Sequence, residues 1–177
     1  MTPLSRRRLL GLAAVAPMSI GGPAASRAAT PPRRISFAHL HTGERSTIEY
    51  FQSGRYLPDA LDAANRLLRD FRTGDIAPID PTLLDLLHAL GERLGSAPTF
   101  EVVSAYRSPA TNAALHRRSA GVASGSLHML GRAIDIRVAR LPLPVLHEQA
   151  LALRAGGVGY YPSSNFVHVD TGRLRRW

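Results

Sequence analysis

The chain contains neither cysteine nor lysine, so all 22 of its basic residues are arginine. Without cysteine it can form no disulfide bond and no thiolate metal site, and it carries no thiol for a lipid anchor. Aromatic residues make up 6% of the sequence and do not alternate with basic residues along any stretch. This pattern argues against nucleic acid as a partner.

The positive charge is concentrated at the start of the chain. The formal net charge is +9, but residues 1–28 hold four arginines and no acid, which leaves +5 for the remaining residues. An excess of this size suits contact with anionic polymers of the cell envelope. An arginine-rich composition also follows from genome base content, so the charge alone does not identify a partner.

The first 28 residues have the features of a signal peptide. The segment SRRRLLGLAAVAPMSIGG contains the paired Arg6 and Arg7, followed by an apolar run that is too short and too rich in glycine to span a bilayer. The pair predicts a signal of the twin-arginine type. A basic amphipathic surface helix is disfavoured because no polar face recurs at helical spacing between Leu9 and Gly21. We expect export to the periplasm or cell envelope, with no stable membrane span in the mature protein.

Boundaries for the mature protein follow from this signal. Small residues around Ala28 offer a cleavage point after it, and the next segment, ATPPRR, predicts a short tether over residues 29–34. Residues 35–177 contain no repeat and no internal linker. With 45% hydrophobic residues in the whole chain, they suffice for one compact core, so we expect a single domain.

Hydrophobic periodicity predicts an α+β fold in which helices flank a central antiparallel sheet. Strands are predicted in a hairpin that turns at residues 41–44, in TFEVVSAYRSP, in GRAIDIRV, and in a second hairpin that turns at residues 162–165. Helices are predicted over residues 57–72, from the N-cap Asp80 onward, after Ser108-Pro109, and over a segment that ends at Gly156 or Gly157.

Strand alternation places polar side chains on one face of the predicted sheet. Asp135 lies in the hydrophobic strand AIDIRV, and His168 shares a face with Asp170 in FVHVD. If these strands are neighbours, Asp135 and His168 stand side by side, and Gly131 permits the tight turn that folds His128 over them. A buried carboxylate needs a partner. Two imidazoles and a carboxylate with an open fourth position match the ligands of a catalytic zinc site.

The sequence resembles a known family around these residues. The pattern Ser126-x-His128-x-x-Gly131-x-Ala133-x-Asp135, preceded by SAYRSPATN and followed by NFVHVD, resembles the zinc peptidases of the D-alanyl-D-alanine carboxypeptidase superfamily, type M15. The segments HTGE and GGVGYYPSSNFVHVDTGRLRRW resemble more closely its murein endopeptidase K-like branch, also described as domain of unknown function 882. The resemblance extends over residues 34–177.

The resemblance implies a fold and a metal site. The expected fold is the compact hedgehog/D-Ala-D-Ala peptidase-like domain, with one Zn²⁺ per chain bound on the sheet by His128, Asp135 and His168. These three residues fall on the metal-ligand positions of the family's motifs.

Three further residues acquire roles from the same motifs. Arg107 falls where the superfamily places a basic residue near the reacting carbonyl or a substrate carboxylate, and its planar guanidinium suits a carboxylate geometrically. Pairing of Arg107 with a structural acid is the alternative. Ser126 falls close to the metal and is expected to contact substrate. Tyr106 is expected in the core or in the wall of the substrate pocket.

Asn165 departs from the family's pattern. Many relatives carry an acid three residues before the last metal histidine, where it acts as the base that activates water, and an amide cannot accept that proton. Asp170, two residues after His168, is the nearest acid of the motif. Asp170 would serve either as the catalytic base or as the carboxylate that orients His168, and both readings stay open.

The resemblance also implies a function. It implies a zinc metallopeptidase that hydrolyses peptide cross-links of peptidoglycan, and the 3-3 link between two meso-diaminopimelate residues is the expected bond. The expected partners are peptidoglycan peptides. Two alternatives remain: a carboxypeptidase that trims stem peptides, and a zinc-containing wall-binding module that has lost hydrolysis.

Replacing Arg6 and Arg7 together by lysine should retain the precursor in the cytoplasm, because the twin-arginine receptor reads the pair as an address rather than as charge. Cell fractionation with immunoblotting measures the distribution. Arg27→Lys makes the same chemical change outside the pair and should leave export unchanged. Normal export of the double variant would contradict the prediction and indicate the general secretory route.

Overall fold

The computed structural model describes residues 31–95, 97–118 and 123–177. Its strands are β1 (Arg33–His39), β2 (Arg45–Gln52), β3 (Arg55–Tyr56), β4 (Thr99–Ser104), β5 (Ala133–Val138), β6 (Gly157–Tyr161), β7 (Phe166–Asp170) and β8 (Arg175–Arg176). Its α-helices are α1 (Pro58–Leu67), α2 (Pro81–Arg93), α3 (Pro109–Arg118) and α4 (Leu143–Leu153). The predicted signal and its cleavage point lie outside the described residues.

All eight strands belong to one sheet, in the order β3-β2-β1-β4-β5-β7-β6-β8. The prediction of a single α+β domain is confirmed, and both predicted hairpins, β1–β2 and β6–β7, are present. The sheet is mixed rather than antiparallel, because β1 pairs with β4, and β6 with β8, in parallel. β1 begins at Arg33, so the last two residues of the predicted tether belong to the sheet.

The hydrophobic core lies between the sheet and helices α1, α2 and α4. Its strand residues alternate with the polar residues of the other face, since Ile134 and Ile136 flank Asp135, and Val167 and Val169 flank His168. The helices contribute leucines and alanines from one side of each helix: Ala64, Leu67, Leu83, Leu84, Leu87, Leu90, Leu146 and Ala150. The helices thus cover one face of the central strands and leave Asp135 and His168 on the other.

Helix α1 is shorter than its periodicity predicts, ending at Leu67 rather than near residue 72. The buried carboxylate of Asp70 accepts hydrogen bonds from the backbone N–H of Arg72 at 3.0 Å and of Ser108 at 2.9 Å. A buried carboxylate needs such hydrogen bonds, and the backbone around Asp70 adopts a non-helical conformation in which they form. The same contact anchors the residues that follow β4.

Helix α4 ends at Arg154 in a left-handed conformation, with φ of 50°, and not at either predicted glycine. The next segment packs tightly against Asp170: a Cβ on Gly156 would lie 1.7 Å from the Asp170 carbonyl oxygen, and one on Gly157 would lie 2.5 Å from its Oδ2. These glycines are therefore required by close approach to β7 rather than by the helix end.

Gly131 fixes the loop that enters β5. Its φ is +63°, and a Cβ at this position would lie 2.1 Å from the carbonyl oxygen of Pro78. The Gly131 carbonyl accepts a hydrogen bond from Asp80 N–H at 3.0 Å, beside the start of α2. The loop is thus held against α2 at a point where only glycine fits.

We expect Gly131→Ala to lower the free energy of unfolding by about 1–3 kcal/mol more than Gly74→Ala, because overpacking is added to the left-handed strain. Gly74 is a matched control, since its φ is +82° and a Cβ there would have no neighbour within 4 Å. Denaturant titration of both variants measures the difference. Equal losses would show that the contact with Pro78 relaxes without cost.

Candidate metal centre

Strands β5 and β7 bring together the two polar residues that lie in hydrophobic strands. The strands are antiparallel neighbours, and Asp135 lies directly opposite His168. Facing residues in such a pair project from the same side of the sheet. The two side chains therefore meet on the face that the helices leave uncovered, where His168 Nδ1 lies 2.9 Å from Asp135 Oδ1.

His128 reaches the same point from the loop before β5. It lies in a single 3-10 turn, Leu127–Leu130, which Ser126 caps by accepting a hydrogen bond from the His128 N–H at 3.4 Å. Gly131 ends the turn in the left-handed conformation. The side chain of His128 is buried, with 3% of its surface exposed. One ligand atom from each of His128, Asp135 and His168 lies within 4.8 Å of the other two.

Hydrogen bonds on the far side of each ring determine which nitrogen carries the proton. His128 Nδ1 lies 2.6 Å from the carbonyl oxygen of Ala105, which can only accept, so Nδ1 is the donor. His168 Nε2 lies 2.9 Å from Asp170 Oδ2, so Nε2 is the donor in that ring. In the neutral rings, the remaining nitrogens, His128 Nε2 and His168 Nδ1, present lone pairs. His168 Nδ1 then faces the carboxylate of Asp135 at 2.9 Å, a pair that is stable only with a proton or another cation between its members.

These two lone pairs and the carboxylate of Asp135 converge. His128 Nε2 lies 3.2 Å from His168 Nδ1 and 3.3 Å from Asp135 Oδ1. Three acceptors at this spacing repel one another unless a positive charge lies between them. The donor set therefore fits a metal ion, and the bonds to Ala105 and Asp170 are the outer contacts that metal-binding histidines commonly make.

The pKa values of Asp135 and His168 also indicate that the cluster favours a positive charge. Burial raises the pKa of the Asp135 carboxyl, but His128 and His168 outweigh burial, and the net pKa is lowered well below its usual range. Burial lowers the pKa of His168, but its hydrogen bonds to Asp135 and Asp170 outweigh burial and raise it overall. The carboxylates thus create a negative potential that favours a cation at the centre.

Asp170 lies behind His168 and is completely enclosed. Its Oδ1 accepts hydrogen bonds from the N–H groups of Gly157 at 3.1 Å and Gly172 at 2.8 Å, and Arg175 donates to both oxygens, at 3.1 and 2.6 Å. No part of the residue is exposed. Burial raises the pKa of its carboxyl, but the bond from His168 and the backbone N–H of Gly172 outweigh burial and lower it. Asp170 is therefore an ionised carboxylate that holds the His168 ring.

The cluster forms the floor of a cleft of about 510 Å³. The residues that line the cleft are Arg107, Ala123, Gly125, Ser126, Leu127, His128, Asp135, Tyr161, Ser164, Phe166, His168, Arg175 and Trp177. A concave site with convergent polar groups on its floor is the usual form of a ligand-binding site.

Comparison with known proteins identifies the family. The family model described as peptidoglycan L,D-endopeptidase MepK matches residues 27–177. The chain belongs to the MepK peptidase family. The peptidoglycan L,D-endopeptidase MepK of Escherichia coli (strain K12) is 43% identical over 176 residues, which cover 98% of this chain and 97% of that protein. The probable peptidoglycan L,D-endopeptidase MepK of Haemophilus influenzae is 43% identical over 147 residues, or 82% of this chain and 79% of that protein. No solved structure matches the chain significantly.

Within this MepK-family chain, Arg107 and Ser126 line the cleft, whereas Tyr106 does not. Arg107 is buried, with 8% of the residue exposed. A terminal nitrogen of its guanidinium lies 3.7 Å from Asp135 Oδ2. Tyr106 is partly buried and packs against the hydrophobic core. Of the two expected positions for Tyr106, the core or the wall of the pocket, the structure shows the core; its predicted contact with substrate stays a prediction.

Asn112 links Arg107 to the loop that carries Ser126. Its Oδ1 accepts a hydrogen bond from Arg107 at 3.3 Å, and its Nδ2 donates to the carbonyl oxygens of Ala123 and Ser124 at 3.1 and 3.2 Å. The side chain is buried. A buried amide with all these partners fixes both the arginine and the edge of the cleft.

The sequence interpretation missed one side of the cleft. Tyr161, Phe166, Arg175 and Trp177 all line it, and Arg175 also binds Asp170. The three aromatic residues all lie among residues 161–177, which was a visible signal, but no periodicity relates Arg175 or Trp177 to the strands before them. Asn165 adopts the left-handed conformation, with φ of 54°, at the end of the 3-10 turn Pro162–Ser164, a conformation in which asparagine is favoured.

Asp170→Asn should weaken the affinity for a divalent metal by about 10- to 100-fold, because the amide no longer provides the ionised acceptor that fixes the His168 tautomer. Titration of metal-free protein with zinc in the presence of a competing chelator measures the affinity. Asp62→Asn, which removes the same charge from an exposed position of α1, is the control. Unchanged zinc affinity in Asp170→Asn would contradict the positioning role.

Proposed function

We propose that this chain is a zinc-dependent peptidoglycan endopeptidase that hydrolyses 3-3 cross-links between two meso-diaminopimelate residues. The observation that carries the proposal is the convergence of two imidazole lone pairs and an ionised carboxylate on the floor of a cleft. This ligand set is typical of catalytic zinc. Membership of the MepK family, whose named relatives are peptidoglycan L,D-endopeptidases, supports the reaction and the substrate.

The chain's own residues have distinct parts in this reaction. His128, Asp135 and His168 would hold one zinc ion. Bound zinc polarises a carbonyl group and lowers the pKa of water to about 7. Arg107 stands beside Asp135 and would stabilise negative charge that develops on the scissile carbonyl, or bind a carboxylate of the substrate. The hydroxyl of Ser126 lines the cleft and would contact the substrate peptide.

Asp170 is proposed as a positioning residue rather than as the catalytic base. Both of its oxygens already accept hydrogen bonds, and it lies on the far side of His168 from Asp135. A general base must come within hydrogen-bonding distance of the proton that it removes. The enclosed carboxylate of Asp170 does not meet this requirement.

A second candidate function is a wall-binding module that holds zinc without hydrolysis. Among the described residues that line the cleft, Asp135 is the only acid, and it belongs to the candidate ligand set. The described part of the cleft therefore offers no further carboxylate as a base, and Asn165 stands where relatives carry an acid. The lack of a second acid in the described part of the cleft supports the wall-binding module, so hydrolysis must be tested directly.

The site of action is proposed to be the periplasm, reached by the twin-arginine route. Peptidoglycan peptides are the proposed partners, consistent with the names of the relatives. In the described part of the chain, no helix is both long enough and apolar enough to cross a membrane.

The test of the function is digestion of defined substrates. Zinc-loaded protein is incubated with a 3-3 cross-linked muropeptide dimer, a 4-3 cross-linked dimer and a monomeric tetrapeptide, and the products are separated by chromatography and identified by mass. We expect the 3-3 dimer to yield monomers. Release of a terminal amino acid would indicate a carboxypeptidase, and binding of the dimer without products would indicate the wall-binding module.

Replacing His128, Asp135 or His168 singly by alanine should remove zinc and dimer cleavage together, because each supplies one of three ligands. Elemental analysis after gel filtration measures zinc per chain, and circular dichroism verifies that the variants fold. His41→Ala, in an exposed histidine outside the cleft, is the control and should retain one zinc. Stoichiometric zinc in all three alanine variants would refute the site.

A further inference from the structure

One side of the cleft is an aromatic wall, formed by Tyr161, Phe166 and Trp177. The rings of Tyr161 and Phe166 are stacked, with centroids 4.6 Å apart. Trp177 is the only tryptophan of the chain, and 48% of its surface is exposed. This large apolar residue is therefore not part of the core, and it lines the cleft.

Trp177 is nonetheless held in one orientation. Its backbone pairs with β6, donating to Val158 at 3.3 Å and accepting from Tyr160 at 3.0 Å. Its indole Nε1 donates to the hydroxyl of Tyr161 at 2.7 Å. The ring also lies over Gly159, where a Cβ would approach it to 2.7 Å. An exposed ring fixed by backbone and side-chain bonds is organised for a ligand before the ligand arrives.

The wall stands next to the candidate metal ligands. The centroids of the Trp177 and His168 rings are 5.2 Å apart. The order of the sheet places Arg107, which follows β4, on one side of Asp135 and His168, and Trp177, which pairs with β6, on the other. The cleft thus has Arg107 on one side and the aromatic rings, with Arg175 beside Trp177, on the other.

We propose that Trp177 is a specificity-determining residue that binds the methylene chain of the diaminopimelate side chain that carries the cross-linking amine. This inference rests on the proposed function. In a 3-3 cross-link that methylene chain is attached, through one carbon, to the scissile nitrogen, so it is the apolar part of the substrate nearest to the reacting bond. An indole face beside His168 buries such a chain, whereas Arg107 suits the charged groups of the same substrate.

A purely structural role for Trp177 predicts a different result. The guanidinium of Arg175 lies 5.0 Å from the centre of the Trp177 ring, and Arg175 supports His168 through Asp170. If Trp177 only supported Arg175, its loss would loosen His168 and lower the zinc content and kcat. If Trp177 binds substrate, its loss raises KM and leaves the zinc content and kcat unchanged.

The first experiment compares Trp177→Ala and Trp177→Phe with wild type on the 3-3 dimer. Loss of the apolar contact in Trp177→Ala should raise KM by about tenfold. Zinc content should be unchanged, kcat should stay within about twofold, and phenylalanine should restore part of the affinity. Ile76→Ala is the matched control, because Ile76 is a similarly exposed apolar residue, at 55%, outside the cleft. Loss of zinc or of kcat with KM unchanged would overturn the proposal.

The second experiment changes the substrate instead of the wall. Two synthetic dimers replace the amine-bearing diaminopimelate by lysine, which keeps a chain of the same length, or by diaminobutyrate, which is two carbons shorter. The penalty of Trp177→Ala should persist with the lysine dimer and shrink with the diaminobutyrate dimer, since the two changes remove the same contact. Equal penalties on both dimers would overturn the proposed contact with the methylene chain.

The third experiment uses the single tryptophan as its own probe. A dimer whose scissile carbonyl is reduced to a methylene is titrated into zinc-loaded wild-type protein, and calorimetry and tryptophan emission are recorded together. Covering the exposed indole should shift the emission to shorter wavelength at the concentrations where heat is released. Binding heat without a shift would overturn the proposal. A shift with the reduced dimer, but no turnover of the natural dimer, would refute the endopeptidase function. It would still support the contact between Trp177 and the ligand.

Discussion

Two ionised carboxylates flank a single buried imidazole, and the structure around β7 is arranged to make that combination stable. Asp135 lies at Nδ1 of His168 and Asp170 at Nε2. Burying two negative charges so close together is unfavourable unless each has its own partners. Asp170 is neutralised from behind by Arg175 and by backbone N–H groups, which leaves the charge of Asp135 directed into the cleft.

Several features that look unrelated in the sequence follow from this constraint. A Cβ on Gly157 would lie 2.5 Å from Asp170 Oδ2, and one on Gly172 would lie 2.7 Å from Leu127 Cδ1 and 2.9 Å from Asp170 Oδ1, so a side chain at either position would displace the groups around Asp170. The short strand β8 places Arg175 at the edge of the sheet, from which its guanidinium reaches Asp170. The same strand leads directly to Trp177, so the neutralisation of Asp170 and the aromatic side of the cleft are built by one segment.

The polar side of the cleft rests on a separate network. Asp70 anchors the corner after β4 through Ser108, and Asn112 ties Arg107 to the loop before His128. Arg107 N–H also donates to the His128 carbonyl at 3.2 Å, which joins the arginine to the third member of the cluster. A substrate in the cleft would thus meet a charged side and an aromatic side that are each fixed by buried hydrogen bonds, with the candidate ligands between them.

The sequence alone determined the features that depend on local periodicity and on motif identity. Alternation in AIDIRV and FVHVD placed Asp135 and His168 on the polar face, the caps and glycines marked most helix and turn positions, and the MepK-family resemblance named His128, Asp135 and His168.

Only the tertiary structure decided the rest. From the sequence, Asp170 could be read as a base or as an orienting carboxylate; the fold buries it at Nε2 of His168 and surrounds it with donors, which supports the proposed orienting role. Trp177 lines the cleft because a two-residue strand, too short to carry a periodic signal, pairs with β6 at the edge of the sheet. Tyr106 packs against the core, a position that its place after β4 left undetermined. Contacts between distant segments have no trace in local patterns, since burial, close approach and charge neutralisation arise only when those segments meet.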